Sequence, residues 1–332
     1  MPAAGTTPDA SDDRDAPDAP GTPDDRAGAT EEDHRLAAEL ATRTGVLLIE
    51  LRREYGFDVS DEAGGPGRSG TGRGGADRGG TSRSRTGPGS AGPGGAGRGG
   101  AGPGIADMLR AGGDRLAHEF LAAALAEARP DDAVLSEEAP DDRRRLGHRR
   151  VWIIDPLDGT RQYGEPGRTD WGVHVALAID GAPVAGAVAL PAEGVTLSTA
   201  DPPSLPPSPS GSSDGSRRRV IASRSRPGSD ARVVAAALDA ELIALGSVGA
   251  KVAQVIRGGA DAYVHSGGQS EWDSAAPVAV ALACGLHASR IDGRALRYNR
   301  PNVELPDLLV CRTDVAEAAL AALAAPAATT AG

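Results

Sequence analysis

Aromatic side chains are scarce: two Phe, three Trp and four Tyr in 332 residues. Cysteine is scarcer still, with Cys284 and Cys311 alone. Both lie in apolar segments and read as reduced core thiols, which points to a cytoplasmic setting. There is a single lysine, Lys251. No apolar run reaches the roughly 18 residues of a membrane span. The acidic N-terminus has no apolar core of the kind a secretory leader needs, so none is expected. The formal net charge is −11, which argues against general nucleic-acid binding, since that needs a basic face. A Gly/Arg-rich tract at 61–104 is the one RNA-binding-like feature. It lacks the interleaved aromatics that stack on bases, so it reads as a flexible insertion between two helices.

Large apolar side chains are almost missing from three stretches. They are the Asp/Pro/Ala/Thr-rich residues 1–29, the tract at 61–104 and the Pro/Ser-rich residues 201–216. None can bury enough surface to offset the entropy of ordering, so all three are expected not to fold. About 230 residues remain, ample for a core. They divide into an N-terminal unit over 30–200, which carries the insertion, and a C-terminal unit over 217–325.

In the first unit, apolar spacing predicts a helix over 32–54 with Thr30 as its cap. A second helix is predicted from Ile105 to about Ala128, stopped by Pro130. A short strand at Ala133-Val134-Leu135 follows, then one over 151–154. Apolar runs at 171–179 and 183–190 joined by Asp180-Gly181 predict a hairpin, and Val195–Thr199 a further strand. The second unit alternates. Strands are predicted at Arg219–Ala222, Glu241–Leu245 and Ala260–His265, and helices at Asp230–Asp239, Ser247–Arg257 and Trp272–Cys284. The expected fold class is α/β, an α+β N-terminal lobe and an α/β C-terminal lobe, with the site at their junction.

Three acidic groups stand at the ends of these elements. They are Glu137-Glu138, the pair in Asp155-Pro156-Leu157-Asp158-Gly159-Thr160, and Asp273 at the head of an Ala-rich helix. Each has a plain structural reading as solvated loop, turn or helix cap. Two acids three residues apart past a strand, with a hydroxyl beside them, also suit a hard cation. The hexapeptide alone leaves turn and metal site both open. His174 reads as a packed histidine, and Arg161-Gln162-Tyr163 as loop.

In combination, Ser136-Glu137-Glu138, the Trp152–Thr160 segment and Trp272-Asp273-Ser274-Ala275-Ala276 resemble the signature of the inositol monophosphatase superfamily. These are Mg²⁺-dependent, lithium-sensitive phosphatases with a layered αβαβα sugar-phosphatase-like fold. Within it, the segment AVLSEE, the GRTDWGVH segment ending at His174 and GGQSEWDSAAPVAV resemble the CysQ-type 3'(2'),5'-bisphosphate nucleotidases, especially the actinobacterial kind. The resemblance implies two or three Mg²⁺ ions on Glu137, Asp155, the Leu157 carbonyl, Asp158 and Asp273, with Asp155 bridging. It gives Glu137 and Thr160 the task of orienting or deprotonating water, and Gly159 and Thr160 that of offering N–H groups to phosphate. It places Asp114 behind Thr160, although Ala111-Gly112-Gly113 replaces the family's Thr-containing segment. A helix cap is the plain reading of Asp114.

For the nucleotide, the resemblance points to Ser247 and Lys251 in Gly246–Lys251, to His265 where relatives carry arginine, to Arg224 in Ser223–Arg226 and again to Asp273. A solvated surface role is the alternative for Lys251. Arg297 and Tyr298 are considered for the base, with Tyr298 also read as core. The implied reaction is hydrolysis of the 3'-phosphate of 3'-phosphoadenosine 5'-phosphate, and of 3'-phosphoadenylyl sulfate, in sulfur assimilation. Two alternatives stand beside it. One is a broader phosphatase of inositol 1-phosphate or fructose 1,6-bisphosphate, and the other a non-catalytic metal- or nucleotide-binding regulator. The expected partner is a small phosphomonoester nucleotide, not nucleic acid or membrane, with a homodimer allowed.

Overall fold

The computed structural model describes residues 28–57, 104–207, 217–224 and 228–325. Of the tracts whose composition opposes folding, 1–27, 61–103 and 208–216 lie outside these residues, while 201–207 lie within them. Helices α1 (Glu31–Glu54) and α2 (Ile105–Ala128) pack together on one face of the first sheet. Thr30 caps α1: the Asp33 N–H donates to Thr30 Oγ1 at 3.2 Å, and Asp33 Oδ2 accepts from the Thr30 N–H at 2.8 Å. Asp33 is buried and pairs at 2.9 Å with both Arg129 and Arg150, tying the start of α1 to the end of α2 and to the strand that begins at Arg150.

The first sheet has the order β1-β2-β3-β4-β5. Its strands are β1 (Ala133–Ser136), β2 (Arg150–Asp158), β3 (Gly172–Ile179), β4 (Ala182–Leu190) and β5 (Val195–Ser198). β1 runs parallel to β2 and the rest are antiparallel. Asp180 and Gly181 both take positive φ, 49° and 79°, between β3 and β4. That is the two-residue hairpin turn that the Asp-Gly pair signals.

The second sheet has the order β7-β6-β8-β10-β9. Its strands are β6 (Arg219–Ser223), β7 (Glu241–Leu245), β8 (Ala262–Ser270), β9 (His287–Ser289) and β10 (Glu304–Cys311). Helices α4 (Ser229–Ala237), α5 (Val248–Ile256), α6 (Glu271–Ala283) and α7 (Thr313–Ala324) complete the order, after a one-turn α3 at Thr160–Tyr163. Three apolar clusters define five layers. One joins α1 and α2 to the outer face of the first sheet, with Leu48, Leu121, Trp152 and Trp171. A second fills the space between the sheets around α5 and α6, with Ile153, Val188, Val252, Val278 and Leu308. A third seats α4 and α7 on the far face of the second sheet. This is the αβαβα sandwich expected. The middle cluster belongs to both units, so the junction is a shared core.

Two features depart from the sequence reading. β9, β10 and α7 were not expected. In β10 the run is broken by Pro306, which cannot donate to a ladder, and the register against β8 shifts between Leu305 and Asp307. β2 also does not stop at Ile154: it continues through Asp158. Asp155 lies opposite His174 and Asp158 opposite Gly172, so three steps on β2 face two on β3. One extra residue is a β-bulge. Residues three apart in a regular strand point to opposite faces. The bulge at Pro156-Leu157 removes that offset and turns Asp155 and Asp158 to the same side.

Candidate active site and metal centre

Asp155 and Asp158 face the layer of α5 and α6, and Asp273 meets them from the third position of α6. One carboxylate oxygen from each lies within 4.8 Å of the others. Asp155 and Asp158 are buried, and Asp273 is half-buried. Asp273 also serves as a cap, its Oδ2 accepting from the Ser270 N–H at 2.7 Å. The plain cap reading of Asp273 therefore holds, and the cap does not take it out of the acid cluster. Glu137 follows β1, with its own N–H on the Ile154 carbonyl at 3.3 Å, and its carboxyl lies beside that of Asp155. Glu137 as a residue is solvent-exposed, but its carboxyl is crowded by the other acids.

The electrostatics follow from crowding. Burial, and then the charges of Glu137, Asp158 and Asp273, hold Asp155 well above the ordinary carboxylate range. Burial raises Glu137 to about 7, helped by Asp273, Glu138 and Asp158 and opposed by its bond to Asp155. Burial and Asp158 raise Asp273 to about 6. Without a cation these acids retain protons that a free carboxylate would lose.

Asp158 behaves oppositely. Burial pushes it up, but His174, the Gly249 amide and Lys251 outweigh that and hold it below its usual value. The Gly249 N–H donates to Oδ2 at 2.8 Å and the Val248 N–H to Oδ1 at 3.4 Å, so the first turn of α5 caps this carboxylate. His174 lies on β3 and is fully buried, with Nε2 3.1 Å from Asp158 Oδ2 in an ion-pair contact whose angle is poor for a hydrogen bond. Its Nδ1 is 3.3 Å from the Trp272 carbonyl. Burial opposes the imidazolium, yet Asp158 and that carbonyl raise its pKa overall. A Cβ at Gly249 would stand 2.2 Å from His174 Nε2, so glycine is what lets α5 approach. His174 is a residue the sequence reading left as packing. Its place opposite Asp155 in the β2–β3 register carried the signal, but the bulge was needed to read it.

The remaining motif residues divide. Gly159 has φ of 87°, in the left-handed region that favours glycine, and opens α3. Thr160 Oγ1 lies 3.1 Å from the Leu157 carbonyl and 3.3 Å from Asp114 Oδ1. Asp114 is therefore behind Thr160 as the resemblance implies. It is not a helix cap, because it sits mid-way along α2, whose cap is Gly104. Burial and Glu138 raise Asp114 to about 6, against the Thr160 bond. At Gly113 a Cβ would be 2.7 Å from the Tyr163 ring and 3.1 Å from Leu157, so α2 needs a glycine there to close on the turn.

Ser247 caps α5, its Oγ accepting from the Ala250 N–H at 3.0 Å. Lys251 is buried, which overturns the solvated-surface reading. Its ammonium stands 4.8 Å from the Tyr263 ring centroid, and burial lowers it to about 8 against the pull of Asp158, Asp273 and Asp170. Arg224 reaches Asp170 at 3.3 Å, while Arg226 lies outside the described residues. His265 turns its Nε2 to the Gly267 carbonyl at 3.2 Å, two residues on. Tyr298 is core, its hydroxyl 3.2 Å from Ser274 Oγ. Arg161-Gln162-Tyr163 is not loop but the body of α3. Tyr163 is buried and donates to the Leu48 carbonyl at 2.9 Å.

The comparisons bear on this arrangement. Residues 111–329 match the model of the inositol monophosphatase family. The chain belongs to that family. It is 41% identical over 293 residues to a 3'-phosphoadenosine 5'-phosphate phosphatase of Mycobacterium leprae, covering 86% of this chain and 90% of that one. A protein of the same name from Mycobacterium bovis is 48% identical over 221 residues, covering 65% and 82%. The 3'(2'),5'-bisphosphate nucleotidase CysQ of Escherichia coli K12 is 31% identical over 197 residues, covering 56% and 77%. Among solved structures, CysQ from Bacteroides thetaiotaomicron superposes with a TM-score of 0.58 at 21% identity, over 85% of this chain and 97% of that one. Inositol monophosphatase II from Staphylococcus aureus also gives 0.58, at 16% identity, over 86% and 90%. Membership makes the enzyme a metal-dependent phosphatase. Three acids, two of them buried, whose oxygens lie within 4.8 Å of one another outnumber the nearby His174 and Lys251, and such an oxygen set fits a metal. No helix among the described residues is long and apolar enough to cross a membrane.

Two outcomes follow. The folded-state pKa values of Glu137, Asp155 and Asp273 lie above their unfolded values, so the metal-free native state binds extra protons. Its stability is fullest below about pH 4 to 4.5 as far as these groups go, and is lost as pH rises through about 7. Thermal scans of metal-free protein should show Tm contributions falling between pH 5 and pH 8, with Mg²⁺ restoring them at pH 8. A Tm that rises over that span and ignores Mg²⁺ would show that these acids are not clustered. Second, His174→Gln should weaken Mg²⁺ binding roughly 10- to 100-fold in calorimetry, as loss of a group orienting a metal ligand does. Unchanged affinity would leave His174 a packing residue.

Proposed function

We propose that this enzyme removes the 3'-phosphate of 3'-phosphoadenosine 5'-phosphate, giving AMP and phosphate, and acts likewise on 3'-phosphoadenylyl sulfate. The observation that carries the chemistry is the convergence of Asp155, Asp158 and Asp273 with Glu137 beside them. The nucleotide is supported by relatives of that name at 41% and 48% identity. The cationic side chains Lys251 and Arg224 near the same turn support it too.

Asp155, Asp158, Asp273, Glu137 and the Leu157 carbonyl would hold the metal, with Mg²⁺ as the hard cation that oxygen donors suit. When bound, Mg²⁺ neutralises phosphate charge, acidifies a nucleophilic water and stabilises the leaving alkoxide. The chain's own residues do the rest. Glu137, at the edge of the acid cluster beside Asp155, is placed to take a proton from water. Thr160 is held by Asp114 and the Leu157 carbonyl, so its hydroxyl is fixed beside the acids and can orient that water. Gly159 and Thr160 present their backbone N–H groups at the turn. Asp158 is kept ionised by α5 and His174, so one ligand is ready at any ordinary pH.

Purified protein with Mg²⁺ should release phosphate from 3'-phosphoadenosine 5'-phosphate with higher kcat/KM than from inositol 1-phosphate or fructose 1,6-bisphosphate. Lithium should inhibit it. Asp155→Asn should lower kcat by roughly a thousandfold or more while circular dichroism stays unchanged, as for loss of a group on the reacting centre. Higher kcat/KM on the inositol or fructose esters would replace the nucleotide reading. Full activity of Asp155→Asn would remove Asp155 from the centre.

A further inference from the structure

A second set of buried polar groups joins the two units beside the acids, and the metal chemistry leaves it unused. Glu271 opens α6, two residues before Asp273, and is fully buried. Its carboxyl oxygens each accept a backbone N–H, Oε2 from Asn299 at 2.6 Å and Oε1 from Arg300 at 2.8 Å. Its own N–H donates to the Val303 carbonyl at 2.8 Å. The start of α6 is thus gripped by the segment that leads into β10. Asn299 takes a φ of 57°, the left-handed conformation that asparagine tolerates better than most residues.

Arg145 carries these contacts into the first unit. It lies in a short 3₁₀ turn, Arg143–Gly147, and is buried. Its Nη1 donates to Asn299 Oδ1 at 2.8 Å and its Nη2 to the Arg300 carbonyl at 3.0 Å. The Asn299 amide returns a bond to the Arg145 carbonyl at 3.1 Å. On its other side Arg145 meets Asp141 twice, Nε to Oδ1 at 2.6 Å and Nη2 to Oδ2 at 3.0 Å. Asp141 follows Glu137 by four residues. The contacts therefore run from the loop after Glu137, through Arg145, Asn299 and Glu271, to the helix that carries Asp273. This route is separate from the acids themselves. A buried network whose members satisfy one another holds a single geometry.

Resting on the metal-ligand reading above, we propose that Arg145, Asn299 and Glu271 are positioning residues that fix the spacing of Glu137 and Asp273 across the two units. Mg²⁺ demands near-ideal octahedral geometry, whereas the larger Ca²⁺ accepts a looser shell of oxygens. The cross-tie thereby sets the preference of the centre for the smaller ion.

Asn299→Gly keeps the left-handed backbone and the N–H on Glu271, and removes only the side-chain bridge to Arg145. Glu271→Gln keeps the volume but sets an amide N–H₂ against one of the two backbone N–H groups. Both should be titrated with Mg²⁺ and with Ca²⁺ by calorimetry, at a temperature where circular dichroism shows them fully folded. Mg²⁺ affinity should fall roughly 10- to 100-fold and Ca²⁺ affinity by about threefold at most. Arg129→Gln, which loosens the tie at the start of α1, is the control: it should lower Tm and leave the ratio of the two affinities unchanged. A folded Asn299→Gly with an unchanged ratio would overturn the proposal, and so would an equal shift in Arg129→Gln. Should Glu271→Gln fail to fold, Asn299→Gly decides alone. A wild type that binds neither ion would overturn the metal-ligand reading and the cross-tie's role with it. A wild type that binds Mg²⁺ but is inert on the bisphosphate would overturn the nucleotidase reading alone, and the calorimetry would still decide the cross-tie.

Discussion

The structure is organised around a repulsion. Three carboxylates and a fourth beside them are brought together in the seam between two sheets. Among Asp155, Asp158 and Asp273, whose oxygens lie within 4.8 Å of one another, an ionised pair costs on the order of 3 kcal/mol at an effective dielectric of about 20. No arrangement of the acids alone is comfortable with full charge. The strained set is tolerable only because a cation or retained protons can relieve it.

The fold supplies the convergence through three separate devices. A bulge in β2 turns Asp155 and Asp158 to one side. The start of α6 brings Asp273 from the opposite unit while spending only one of its oxygens on capping. The first turn of α5, admitted by Gly249, pins Asp158 together with His174. Because α5 and α6 lie in the core shared by both sheets, a change in either sheet is felt at the acids. The middle cluster is therefore as much a part of the site as the ligands are.

Much of this was legible in the sequence, for identifiable reasons. The helices at 31–54 and 105–128 declare themselves by 3.6-residue spacing, and the Asp-Gly hairpin by turn chemistry. The acids Glu137, Asp155, Asp158 and Asp273 stand out because they end elements and share an order with a known family. Four things were hidden. The bulge was hidden because Pro156 and Gly159 read equally well as the end of a strand. His174 was hidden because its partner is set by register across β2 and β3, which spacing along one strand does not reveal. Lys251 and Arg224 were named, but the burial of Lys251 and the sharing of Asp170 by Arg168 and Arg224 were hidden, because both depend on how α5 meets the turn. β10 was masked by Pro306, whose cost the second sheet absorbs with a register shift.

The central claim is that the acids of the two units converge on common cations. Mn²⁺, which takes the same oxygen ligands, gives it a direct test through anomalous scattering from crystals grown with that ion. The account expects anomalous peaks bounded by Asp155, Asp158 and Asp273, with at least one also reached by Glu137. Peaks confined to other surfaces, with these carboxylates unliganded at saturating Mn²⁺, would contradict it.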